Sequence, residues 1–135
     1  MREAEQLAGP RRNFVRMDLL NYHLALPAPR CVMGHYRFSR ETLERYRDEW
    51  NFITLLRNPV DRWYSHYFYN KNNDSIYKIN EELDEYVETD TALFLGSLYV
   101  SVVTGETQRK PIRTQEYIKE AVDILRNFAV VGSLE

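Results

Sequence analysis

The sequence predicts an α/β fold, a mainly parallel sheet flanked by helices, and three observations lead there. Residues 52–56 and 128–131 are short apolar runs with β-branched members, the form a strand takes when both faces of a sheet are covered. Amphipathic stretches of helical period separate these runs. A third short apolar run, residues 30–33, breaks at Gly34 and is followed by a helical pattern that leads into residues 52–56. That order describes a βαβ unit with parallel neighbouring strands. At 135 residues the chain suits a single domain and can bury a real core.

Residues 1–12 are polar and charged, with Gly9-Pro10 as a breaker, and read as a weakly ordered lead-in. From Asn13 a short helix carries Phe14, Met17, Leu20 and Leu24 as its apolar stripe and ends before Pro27. His23, beside that stripe, reads as a packed or surface histidine. The run 30–33 follows, with Gly34 turning the chain so that His35 stands exposed at a strand end. A histidine there is a suitable general base for an attacking hydroxyl. The alternative is a loop histidine bonded to nearby backbone. Ser39 caps a helix over residues 39–50 that buries Leu43, Tyr46 and Trp50 and keeps its charged residues in water.

Residues 51–69 carry the most information. The strand 52–56 delivers Arg57 at its carboxyl end; Asn58 is a good N-cap, Pro59 fits the first helical position, and Asp61 complements the helix dipole. Val60, Trp63, Tyr64, Tyr67 and Phe68 form one stripe expected to pack on the sheet, with Arg62 and Ser65 beside it. A strand end that runs into a capped helix is where open α/β sheets bind anions. Arg57 offers a forked, permanently charged donor, and Ser65 a hydroxyl two turns into the helix. The competing reading is a surface ion pair at Arg57 and an ordinary exposed serine. If the strands 30–33 and 52–56 are parallel neighbours, His35 and Arg57 emerge at the same sheet edge.

The remainder reads as scaffold. Residues 70–75 form a polar surface loop, 79–88 an acidic helix, and 91–103 a helix with Ala92, Leu95, Leu98, Tyr99 and Val102 on its core face and Gly105 as its stop. Residues 104–110 lack the glycine spacing and the preceding strand of a phosphate-binding P-loop. Thr114 caps a helix with Tyr117, Ile118, Ala121, Val122 and Leu125 on one face; after the last strand, Gly132 turns the chain and residues 133–135 look like the cap of a further helix.

A formal net charge of -2 argues against a general nucleic-acid binder. The single cysteine, Cys31, rules out an internal disulfide and a cysteine metal cluster and is expected to be a small buried residue. No run approaches the roughly 20 apolar residues that span a bilayer, and no signal peptide is visible. The chain as read carries no transmembrane segment and no metal site.

Arg57-Asn58-Pro59-Val60-Asp61-Arg62 with Ser65 resembles the 3′-phosphate-binding segment of sulfotransferases that use 3′-phosphoadenosine 5′-phosphosulfate, in particular the Golgi-type carbohydrate sulfotransferases and their bacterial relatives. The resemblance implies a P-loop-like sulfotransferase core in which Arg57 and Ser65 hold the 3′-phosphate. Gly34-His35 resembles the family segment that supplies the catalytic base, so His35 takes that role; Met33 stands where some relatives have a second histidine. The implied reaction moves a sulfuryl group to a hydroxyl of an acceptor, a carbohydrate by the same resemblance, with no metal. Arg62 braces the site.

The resemblance spans residues 30–135. The family's early loop for the 5′-phosphosulfate has no counterpart in residues 1–51, so both ends read as incomplete and residues 1–135 as a single partial domain. A nucleotide-binding or interaction module without catalysis is therefore the alternative. A kinase-like enzyme is disfavoured by the missing lysine loop and acidic metal ligands. A bacterial protein of this kind would be cytoplasmic; a Golgi-lumen one would need an N-terminal anchor.

Overall fold

The computed structural model describes residues 10–28, 30–106 and 114–134, with side chains from residue 16 onward. In chain order these form α1 (Pro10–Ala25), α2 (Arg40–Tyr46), β1 (Ile53–Arg57), α3 (Pro59–Lys71), α4 (Leu83–Tyr86), α5 (Asp90–Gly96), α6 (Leu98–Thr104), α7 (Gln115–Arg126) and β2 (Val130–Leu134). The fold is a small mixed α/β arrangement around a two-stranded parallel sheet, in register from Ile53 opposite Val130 to Arg57 opposite Leu134.

Two separate apolar clusters hold the helices. The larger joins Leu20 and Leu24 of α1, Phe38, Leu43 and Tyr46 at α2, Val103 of α6, and Ala121 and Ile124 of α7. At its sheet end Phe38 meets Phe52 and Phe128 edge-on, with ring centroids 4.8 and 4.9 Å apart, the arrangement that aromatic quadrupoles favour. Trp50 is half-buried and donates its indole N–H to Leu24 O, which ties the end of α2 to α1. The smaller cluster joins Tyr67 of α3, Ile79, Tyr86 of α4 and Ala92 of α5, with Trp63 and Leu83 against it.

Several expectations need correction. Helix α1 starts at Pro10, inside the expected lead-in; proline acts there as a helix starter. Residues 30–39 contain no strand, so the βαβ unit leading into β1 is absent. The hydrogen bonds of this segment go to a helix instead: Phe38 N–H donates to Val102 O at 2.8 Å, and Arg37, buried at 6% exposure, donates to Ser101 O, Ser101 Oγ and Glu106 O. At Gly34 a Cβ would stand 2.7 Å from the Tyr36 ring, so a larger residue there would have to displace that side chain. Cys31 is exposed, not buried.

The parallel neighbour of β1 is β2, reached through five helices among the described residues. The sheet is covered on one side at most: Ile53 and Leu55 are 65% and 61% exposed, and Val130 and Leu134, on the same face, are open too. Within α3 only Tyr67 of the expected stripe is buried, while Val60, Tyr64 and Phe68 remain exposed. The helix also runs into the expected 70–75 loop, burying Asn70. Lys71 donates to Asn80 O, Glu81 O and the Glu82 carboxylate.

The 79–88 helix shortens to α4, and the 91–103 helix splits at Ser97, whose hydroxyl bonds back to Phe94 O beside the weak helix former Gly96. Gly105 ends α6 in the left-handed region at φ 75°, as its expected stop role requires. On α7 the buried residues are Ala121 and Ile124, and Ile118 and Val122 are exposed. Gly132 and Ser133 belong to β2; there is no turn and no helix cap at 132–134, and residue 135 lies outside the described residues. Most of the discounted P-loop stretch, residues 107–110, lies outside them as well.

Candidate functional site

Asn58 and Pro59 end the strand and start the helix. Asn58 Oδ1 accepts the N–H groups of Val60 at 2.9 Å and Asp61 at 3.4 Å, and Pro59 has none to offer. Three helix-start positions thus offer an anion no free donor, and Arg62 N–H goes to Asn58 O. An anion at this end would have to be held by side chains and the helix dipole.

Arg57 supplies the side chain. It is the last residue of β1, its guanidinium is exposed, and among the described residues it makes no ion pair or side-chain hydrogen bond. Its backbone N–H donates to the Tyr99 hydroxyl at 3.1 Å. Ser65 lies exposed on α3, with no hydrogen bond to Arg57. The site as it stands is an unpaired cation beside a capped helix, with a free hydroxyl two turns along.

His35 sits exposed in the segment before α2 and bonds to neither Arg57 nor Ser65. The sheet edge that was to bring it to Arg57 does not exist. Helix α6 is instead the element both segments meet, through Phe38 N–H to Val102 O and Arg57 N–H to Tyr99 Oη. Three residues of chain from Phe38 let His35 lie at most about 11 Å from that anchor.

Arg62 turns inward. Its Nη2 donates to Leu95 O at 2.5 Å, and its guanidinium carbon lies 5.0 Å from the centroid of the Tyr99 ring. Nε is buried without a partner. Burial lowers the Arg62 pKa, with Tyr99 opposing the shift. One turn on, His66 is pushed below the ordinary histidine value, first by burial and then by the Arg62 charge; the Asn70 amide lies 3.2 Å from its Nε2.

Sequence reasoning missed Tyr99 and Leu95 as parts of this site, assigning both to a core face. The visible signal was a tyrosine where a fully apolar face would carry leucine. At the start of α3 an open apolar groove of about 400 Å³ is lined by Pro59, Val60, Trp63, Tyr64, Val87 and Gly96. No group of metal-ligating side chains occurs among the described residues, and no helix among them is long and apolar enough to cross a membrane. No family model, no curated protein and no solved structure matches the chain.

Proposed function

We propose that the β1–α3 junction binds the 3′-phosphate of a nucleotide, as the binding half of a sulfotransferase using 3′-phosphoadenosine 5′-phosphosulfate. The observation that carries this is Arg57, an unpaired guanidinium at a strand end beside a thirteen-residue helix capped by Asn58. Arg57 grips the phosphate through its fork, and Ser65 supplies a second hydrogen bond. The sequence resemblance adds the nucleotide and the acceptor, a hydroxyl-bearing carbohydrate. His35 as the base rests on that resemblance alone.

A second reading, a nucleotide-binding module without catalysis, draws on the same geometry. With the helix-start amides taken by Asn58, Arg57 lacks the array of donors that stabilises charge on a transferring group, an effect often worth several kcal/mol.

Calorimetric titration with 3′-phosphoadenosine 5′-phosphate, set against adenosine 5′-phosphate, tests the site. The expected outcome is selective binding of the 3′-phosphorylated nucleotide, weakened about 10- to 100-fold by Arg57→Ala, the range for losing a charge-assisted contact, and less by Ser65→Ala. Equal affinity for the two nucleotides overturns the proposal. Sulfate transfer to polysaccharide that disappears in His35→Ala separates the enzyme from the module.

A further inference from the structure

We propose that Tyr99 is a positioning residue for Arg57, an inference that rests on reading Arg57 as the phosphate-binding arm. Arg57 is the last residue of the strand, opposite Leu134 of β2, and beyond it the chain turns at once into Asn58-Pro59, so no further strand residue follows it to hold its backbone. Its N–H goes to the Tyr99 hydroxyl at 3.1 Å, so a side chain of another element fixes the backbone from which the guanidinium swings.

Tyr99 is itself held. The Arg62 guanidinium lies over its ring at 5.0 Å, and Leu95 O accepts from that guanidinium's Nη2 at 2.5 Å. Arg62 comes from the helix that follows Arg57, while Leu95 and Tyr99 flank the α5–α6 junction. The chain of contacts therefore closes on itself, from Arg57 through Tyr99 and Arg62 back to the start of α3. Tyr99 acts on the phosphate only through Arg57, and Arg62 acts only through Tyr99.

Tyr99→Phe tests this, because it keeps the ring and the stacking and removes only the acceptor. Two readouts on the full chain are needed: hydrogen exchange at the Arg57 amide by NMR, and titration with 3′-phosphoadenosine 5′-phosphate and adenosine 5′-phosphate in wild type, Tyr99→Phe, Arg57→Ala and the double variant. Exchange at Arg57 rises about tenfold while the helical amides of α6 keep theirs, as loss of one ordinary hydrogen bond implies. Affinity for the 3′-phosphorylated nucleotide falls roughly three- to tenfold on the same ground, and in the Arg57→Ala background Tyr99→Phe has no further effect.

Arg62→Lys, which leaves the hydroxyl but removes the planar cation, gives a smaller acceleration at the same amide. Unchanged exchange at Arg57 overturns the proposal. So does an equal loss of affinity with and without Arg57, which makes Tyr99 a direct contact or a general support. A wild-type chain without 3′-phosphate preference overturns the phosphate reading and the binding half of the proposal together; the exchange measurement then decides the positioning half by itself.

Discussion

The Tyr86 hydroxyl is sealed inside the smaller cluster with the residue at 2% exposure and no hydrogen-bond partner. Burial raises its pKa, so the group stays neutral, and it still carries the cost of an unmade bond. Tyr86→Phe removes that cost at constant shape. Urea unfolding is expected to show the variant more stable by about 1 kcal/mol. Arg37 is the opposite case: its Nη1 donates to Ser101 O, Ser101 Oγ and Glu106 O, so its burial is offset by hydrogen bonds. That contrast was not legible in the sequence. Tyr86 falls in the acidic 79–88 helix and Arg37 in the segment after Gly34, and only the packing of distant elements tells a satisfied polar group from an orphan. Ser39 and Asn58 were legible because an N-cap acts within three residues of itself, and both caps form as expected.

Helix α3 owes its placement to one edge rather than to its whole apolar stripe. Trp63 donates to Ala92 O, Tyr67 to Glu81 O, and Arg62 to Leu95 O, so its contacts are polar tips on aromatic or basic stems reaching the next elements. His66 lies along this edge with its pKa below the ordinary value because burial and Arg62 disfavour its charged form. The unfolded chain, with histidine near 6.5, then binds more protons than the folded one, and stability falls as pH drops through that value and levels off below the depressed folded one. Unfolding measured between about pH 7.5 and 5.5 is expected to show this loss, and His66→Gln to flatten it. Period alone marked Val60, Tyr64 and Phe68 as buried; it fixes which residues share a face and not whether another element covers that face. The same limit undid the run 30–33, where short apolar residues fit a strand or a loop equally and the bonds to α6 decide.

At the scale of the molecule the two apolar clusters share no residue. Leu43→Ala in the larger and Ile79→Ala in the smaller are each expected to cost about 2–4 kcal/mol. In the double variant the costs add to within about 0.5 kcal/mol if unfolding stays a single transition. Ile53→Ala, on the bare sheet face, serves as a control expected to change stability by less than about 0.5 kcal/mol. The strands near 52–56 and 128–131 were legible; that they pair with each other, and how far the sheet extends, was not, because the expected neighbour at 30–33 is no strand and edge and face coverage depend on what else is present. The pairing of β1 with β2 must also wait on the 72 residues between Arg57 and Val130. Closing a loop of that length costs roughly 4 kcal/mol in chain entropy before any strand contact repays it. The helices, built on local contacts, are expected to form before the strands meet. Arg57 meets Leu134 only in that last step, so a newly made or partly unfolded chain is expected to keep most of its helical signal while the proposed anion-binding arm still lacks its strand partner.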